Sequence, residues 1–71
     1  MTETYHIVIK EELDDRWADW FVGLTIMHSE SGESVIIASA VDQAELHGLI
    51  MRVRDLGLTL ISVNRVQTGN P

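Results

Sequence analysis

Alternation of apolar and polar side chains predicts four β-strands along the chain. Residues 5–10 (YHIVIK) alternate in this way and are rich in β-branched residues, which favour strands. Further strands are expected over residues 24–28, 34–41 and 59–66. The intervening SESGE, centred on Gly32, is typical of a turn, so the second and third strands are expected to form an antiparallel hairpin.

Helical spacing appears first between the first and second strands. Apolar residues there follow i, i+4, i+7, i+8, i+11 spacing: Leu13, Trp17, Trp20, Phe21 and Leu24. Asp14 or Asp15 can cap the N-terminus, and Gly23 can end the segment. This pattern predicts a short amphipathic helix of about two turns.

A longer helix is predicted after the third strand. It begins at Asp42, which forms a D-x-x-E variant of the capping box with Glu45. Gly57 is placed to end it, with Leu58 packing back onto the core. Its apolar stripe consists of Ala44, Leu46, Leu49, Ile50, Val53 and Leu56.

The resulting order, β-α-β-β-α-β, predicts an α+β fold of the ferredoxin-like type. Right-handed crossovers give a four-stranded antiparallel sheet in the order 4-1-3-2, with both helices on one face and the first helix short. If residues 11–23 do not cross over, the alternative is a β-meander with one packed helix. We expect one domain over residues 1–71, with an ordered core at about 4–66 and a flexible tail at 67–71.

Apolar residues make up 45% of this 71-residue chain, which is high for a domain with so much surface. The third strand, SVIIASAV, is apolar on both of its faces, whereas a solvated sheet face should be polar. We therefore expect the face without helices to be covered by another copy, as a homodimer or higher oligomer, or by another protein.

The charge balance excludes several classes of partner. The chain has 11 acidic and 5 basic residues, for a net charge of −6, and its basic residues are scattered. Nucleic acids and anionic membrane surfaces are therefore not expected partners. The N-terminus lacks the features of a signal peptide, and no run reaches the ~18 apolar residues of a membrane helix. A cytoplasmic protein is the expectation.

Catalytic, cofactor and metal motifs are not found in the sequence. The serines have no nucleophile-elbow context and no glycine-rich phosphate loop is present. With no cysteine, disulfides and thiolate zinc sites are excluded, and the histidines His6, His28 and His47 lack metal-ligand spacing. The acidic group around residues 11–19 is interpreted as a solvated helix face. The sequence thus favours a non-enzymatic protein without a cofactor or metal.

Four residues are candidates for an interface or ligand contact: Trp20, His47, Gly48 and Met51. Trp20 can serve as core or as an interface anchor, and the sequence leaves both open. Gly48 interrupts a helix, so we interpret it as a point where a strand or a neighbouring helix packs closely. His47 can hydrogen-bond a neighbour across a subunit contact, one turn before Met51.

Two sequence blocks, R-W-x-x-W-F-x-G-L (residues 16–24) and D-Q-A-x-L-H-G-L-x₂-R-V-R-D-L-G-L-x-L-I-S-V (residues 42–63), carry a resemblance. The chain resembles a group of short, uncharacterised bacterial proteins that contain both blocks. That resemblance implies no activity and no functional residues.

On these grounds the leading hypothesis is a small homo-oligomerising interaction or regulatory module. The alternative is a metabolite-sensing domain, similar in layout to ACT-type regulatory domains, that binds its ligand at a subunit interface.

Overall fold

The computed structural model describes residues 3–21 and 23–66 of the chain. It contains four strands, one α-helix and one 3₁₀ helix. Their bounds are β1 Glu3–Ile9, the 3₁₀ helix Asp15–Asp19, β2 Thr25–His28, β3 Ser34–Val41, α1 Gln43–Asp55 and β4 Leu60–Val66.

The four strands form one antiparallel sheet in the order β2-β3-β1-β4. This is the predicted order 4-1-3-2 read from the opposite edge, so the predicted strand order is confirmed. At the centre of the sheet Ile7 lies opposite Ile36 on one neighbouring strand and Val63 on the other. Because β1 and β2 are separated by β3, the chain does cross over between them, and the β-meander alternative is wrong.

The predicted two-turn helix between β1 and β2 is instead a five-residue 3₁₀ helix. Its hydrogen bonds join residues three apart, from Trp17 N–H to the Asp14 carbonyl and from Trp20 N–H to the Trp17 carbonyl, both at 3.0 Å. Over residues 3–21 and 23–66 the fold is therefore α+β, a four-stranded antiparallel sheet with one α-helix, and it does not reproduce the two-helix ferredoxin-like sandwich.

Contacts on either side of this segment explain why it does not form the predicted α-helix. Ser34 binds the backbone of Glu11 and Leu13 through its hydroxyl, so the chain stays non-helical up to Asp14. Gly23 has a φ of 83° and lies in a turn, which limits the segment at its other end. The few residues left between these points allow at most about two turns, and so short a helix has little stability of its own, since isolated helices are marginal below about 12 residues.

One face of the sheet carries the core. Tyr5, Ile7 and Ile9 are buried and alternate with half-buried residues along β1. The helix α1 buries Leu46, Leu49 and Val53 against this face. Other buried apolar residues of the same cluster are Leu13, Phe21, Ile36, Ala38 and Val41.

The predicted apolar stripe of α1 is largely confirmed. Ile50 and Leu56 are partly buried and pack against the core beside the three buried residues. Ala44 is the exception, because it is exposed and lies on the outer side of the helix. Trp17 is partly buried and packs against the core.

Both predicted ends of α1 are confirmed. The Asp42 side chain accepts a hydrogen bond from Glu45 N–H at 2.8 Å, and the Glu45 carboxylate accepts one from Asp42 N–H at 3.3 Å. Gly57 has a φ of 77°, which only glycine adopts easily. Leu58 N–H then reaches the Val53 carbonyl at 3.1 Å, completing a Schellman-type ending.

Neither helix in the described ranges is long and apolar enough to cross a membrane. The tail expected at residues 67–71 lies outside the described residues.

Candidate functional site

A concavity lies along the flank of α1 that faces the turn following the 3₁₀ helix. Its volume is about 420 Å³. Its walls combine apolar side chains with one guanidinium and one carboxylate. The lining residues are Trp20, Gly48, Met51, Arg52, Asp55 and Leu56.

A second concavity of about 310 Å³ adjoins the first toward the N-terminus of α1. It is lined by Leu24, Val41, Glu45, Gly48, Leu49 and Arg52. Gly48 and Arg52 line both, so the two adjoin along the helix, and together we call them the α1 groove. Residues 45 to 56 span about 16 Å at 1.5 Å per residue, which sets the length of the groove.

Arg52 positions one wall of the α1 groove. Its Nη1 donates a hydrogen bond to the backbone carbonyl of Trp20 at 3.0 Å. This bond joins the turn after the 3₁₀ helix to the middle of α1, 32 residues later in the chain. It therefore helps to hold the Trp20 side chain beside Met51 rather than leaving the turn free to move.

Gly48 does not have the role expected from the sequence. A Cβ atom built at this position would meet nothing within 4 Å, so no strand or helix of the described chain packs closely there. The expectation of close packing within the chain is wrong. A helical glycine costs roughly 0.5–1 kcal/mol relative to alanine, and the described fold offers no compensation for that cost. What the missing side chain does create is the floor of the α1 groove.

The structure brings three of the four candidate contact residues together. Trp20 and Met51 are 54% and 53% exposed and line the same concavity as Gly48. Trp20 is thus an exposed side chain rather than a core residue. His47 is also exposed, but it is not among the residues that line the α1 groove.

The second candidate surface is the sheet face opposite α1, which we call the open sheet face. By register, Val8 lies opposite Val35 and Ser62, and Met27 also lies opposite Val35. Within residues 3–21 and 23–66, no helix packs on this face. Its members are Thr4, His6, Val8, Thr25, Met27, Val35, Ile37, Ser39, Ser62, Asn64 and Val66.

The three histidines are not brought together. His6 lies on the open sheet face, whereas His28 lies opposite Ser34 on the other face, where its Nε2 bonds the Leu13 carbonyl. His47 is on α1. Among the described residues there is no group of three or more His, Asp or Glu side chains that could hold a metal ion.

The acidic residues before β2 have two distinct environments. Glu11 accepts hydrogen bonds from Thr59 N–H at 2.7 Å and from Thr59 Oγ1 at 2.8 Å, and these bonds lower the pKa of its carboxyl. The hydrogen-bonded ion pair between Asp14 and Arg16, at 2.8 Å, lowers the pKa of Asp14 and raises that of Arg16. Both sites are solvent-exposed and structural in character.

Two structural contacts were missed by the sequence analysis. Ser34 is in phase with Ile36 and Ala38 in a strand, so the period of two already placed it on the buried face. That phase was the available signal. The bond from Arg52 to the Trp20 carbonyl had no sequence signal, because it depends on where the turn after the 3₁₀ helix comes to lie.

Comparison with known proteins identifies one family. A family described as a domain of unknown function (DUF8691) matches residues 4–64. No curated protein and no solved structure shows significant similarity to the chain.

Proposed function

The chain belongs to the DUF8691 family, a domain of unknown function, and we propose that it is a non-enzymatic module that associates with a second copy of itself through the open sheet face. One observation carries this proposal: the strand residues of this face are apolar at its centre and include no carboxylate, although the chain is strongly acidic. The association would serve an interaction or regulatory role.

The apolar centre of the open sheet face spans three adjacent strands. Val8, Val35 and Ile37 are only half-buried, and Met27 is 55% exposed. Their register places these side chains beside one another rather than scattered over the surface. A contiguous apolar patch on a sheet is typical of a surface that packs against another sheet about 10 Å away.

Charge favours a second copy as the occupant. The chain carries 11 acidic residues and a net charge of −6, so two copies repel each other over most orientations. The open sheet face is free of these carboxylates, and His6 is the one ionisable residue among its members. Two such faces can therefore meet without opposing like charges, and depletion of charge is characteristic of interface centres.

The open sheet face is small compared with a standard protein–protein interface. The two seven-residue strands β1 and β4 are each about 23 Å long, and four strands spaced about 4.8 Å apart give a face of roughly 400 Å². That is about half of the ~800 Å² that each partner contributes to a standard interface. We therefore expect weak, concentration-dependent association rather than a permanent dimer.

Analytical ultracentrifugation from micromolar to millimolar concentration tests the proposal. The wild-type chain should sediment with a mass that rises above the monomer value of 8.0 kDa as concentration increases. Met27→Lys and Val35→Lys each place a charge on the open sheet face, and each should weaken association through that face at least tenfold. Both side chains are accessible, so the monomer fold should tolerate them.

Ser31→Lys is the matched control, because it adds the same charge in the exposed turn between β2 and β3. It should associate like the wild type. A wild-type mass that stays at 8.0 kDa up to millimolar concentration contradicts the proposal. So does equal weakening by Ser31→Lys and Met27→Lys.

A further inference from the structure

The α1 groove offers a second surface that the open sheet face does not use. It lies on the opposite side of the sheet, so both surfaces can be occupied at once. Two features set it apart from an ordinary helix surface. Trp20 and Met51 project beside it, and Gly48 leaves its floor open without any contact inside the described chain that requires a glycine.

We propose that the α1 groove binds the α1 helix of another copy, in an antiparallel pair related by a two-fold axis. Glycine in a helix removes the side chain that would hold another helix away. Met51 lies three residues after Gly48 on the same outer side of α1. Each copy thus presents a projecting side chain, Met51, and a recess at Gly48, about one helical turn apart.

In an antiparallel pair whose two-fold axis passes between Gly48 and Met51, the projection of each copy fits the recess of the other. Met51 of each copy lies over the Gly48 floor of the other, because the two-fold axis exchanges them. Trp20 then faces the N-terminal half of the other copy's groove, the depression of about 310 Å³. The surface is therefore complementary to itself.

Charge selects the antiparallel orientation. Glu45 and Arg52 lie on the same flank of α1, since both line the N-terminal half of the groove. In an antiparallel pair the Glu45 carboxylate of each copy comes near the Arg52 guanidinium of the other. In a parallel pair the two-fold axis places these flanks on opposite sides of the interface, so the contact between Glu45 and Arg52 of different copies is lost. Opposed helix dipoles favour the same orientation.

The experiment uses Met27→Lys as background, because that change weakens pairing through the open sheet face at least tenfold. In this background the chain should still form a dimer by ultracentrifugation. Adding Gly48→Leu fills the floor of the α1 groove without a clash inside the chain, and it should weaken the dimer at least tenfold. His47→Leu adds the same side chain outside the groove and should leave the dimer unchanged.

Cysteine cross-linking tests the register, because the natural chain has no cysteine. Gly48→Cys and Met51→Cys variants, mixed and oxidised, should form the mixed disulfide faster than either variant forms its own. Faster formation of the two symmetric disulfides would indicate a parallel pair and overturn the proposal.

The outcomes separate the two surfaces. A Met27→Lys variant that stays monomeric at millimolar concentration overturns the α1 pair and leaves the open sheet face standing. A wild-type dimer that Gly48→Leu dissociates and Met27→Lys does not would instead overturn the proposed function. Met51→Lys should weaken the α1 dimer as Gly48→Leu does. It serves as the second variant if Gly48→Leu does not fold. If metabolites raise the melting temperature of the Met27→Lys variant without dimerisation, the occupant is a small molecule and the α1 pair is wrong.

Discussion

The buried hydroxyl of Ser34 accepts a hydrogen bond of 2.8 Å from the backbone N–H of Leu13. The same hydroxyl donates one of 2.8 Å to the backbone carbonyl of Glu11. One side chain at the start of β3 thus satisfies two backbone groups of the segment that leaves β1. It sets the point at which the crossover begins and keeps that segment against the core.

Replacing Ser34 with alanine should destabilise the fold by about 1–3 kcal/mol, because it leaves buried backbone groups without partners. Urea unfolding followed by circular dichroism measures the change. Ser31→Ala is the control, since that serine is exposed and its loss should change the free energy of unfolding by less than about 0.5 kcal/mol. Equal effects from the two variants would show that the buried hydroxyl is not needed.

The contact between Glu11 and Thr59 should make stability depend on pH. Because these hydrogen bonds lower the pKa of Glu11 in the folded state, the unfolded chain takes up the proton first. The stability that this contact contributes is therefore fully present above the ordinary glutamate pKa of about 4.5. It is lost as the pH falls through the pKa of Glu11 in the folded state. Glu11→Gln should be less stable than the wild type at neutral pH, and the difference should shrink in acid.

Melting temperatures of both proteins across the acidic range test this contact. Thr59→Val keeps the backbone N–H donor and removes the hydroxyl donor, so it should show a smaller loss at neutral pH than Glu11→Gln. A difference in melting temperature between wild type and Glu11→Gln that does not change with pH would contradict the link between Glu11 protonation and stability.

Two glycines should respond to alanine in opposite directions. Gly48→Ala should stabilise the monomer by about 0.5–1 kcal/mol, because the space around it is open and alanine favours helix. Gly57→Ala should destabilise it by about 1–2 kcal/mol, because its φ of 77° lies in the left-handed region. Urea unfolding at low protein concentration avoids association. Destabilisation by Gly48→Ala would restore the role in close packing.

The cap of α1 should tolerate one substitution at Asp42 and not another. Asp42→Ala removes the acceptor for Glu45 N–H and should cost about 1 kcal/mol. Asp42→Asn keeps an oxygen in place and should cost only a fraction of that, because Asn is an equally good N-cap. Unfolding free energies of the two variants provide the comparison, and equal losses would mean that charge rather than capping is at work.

Much of the architecture could be predicted because local patterns and pairing rules agree. The strands follow from alternation, the ends of α1 from Asp42, Glu45 and Gly57, and the strand order from right-handed crossovers. Residues 15–19 could not be assigned correctly, because helical spacing describes which side chains face the core and not whether the backbone has room for an α-helix.

The sequence alone determined the strands, the capped helix and the surplus of apolar residues, because each depends on neighbours in the chain or on composition. Only the tertiary structure decided that a side chain at Gly48 would meet no other part of the described chain, that Trp20 is exposed beside Met51, and that Ser34 binds a segment 21 residues away. These facts depend on distances between elements remote in sequence. Such distances follow from how the whole chain packs, which no local pattern records.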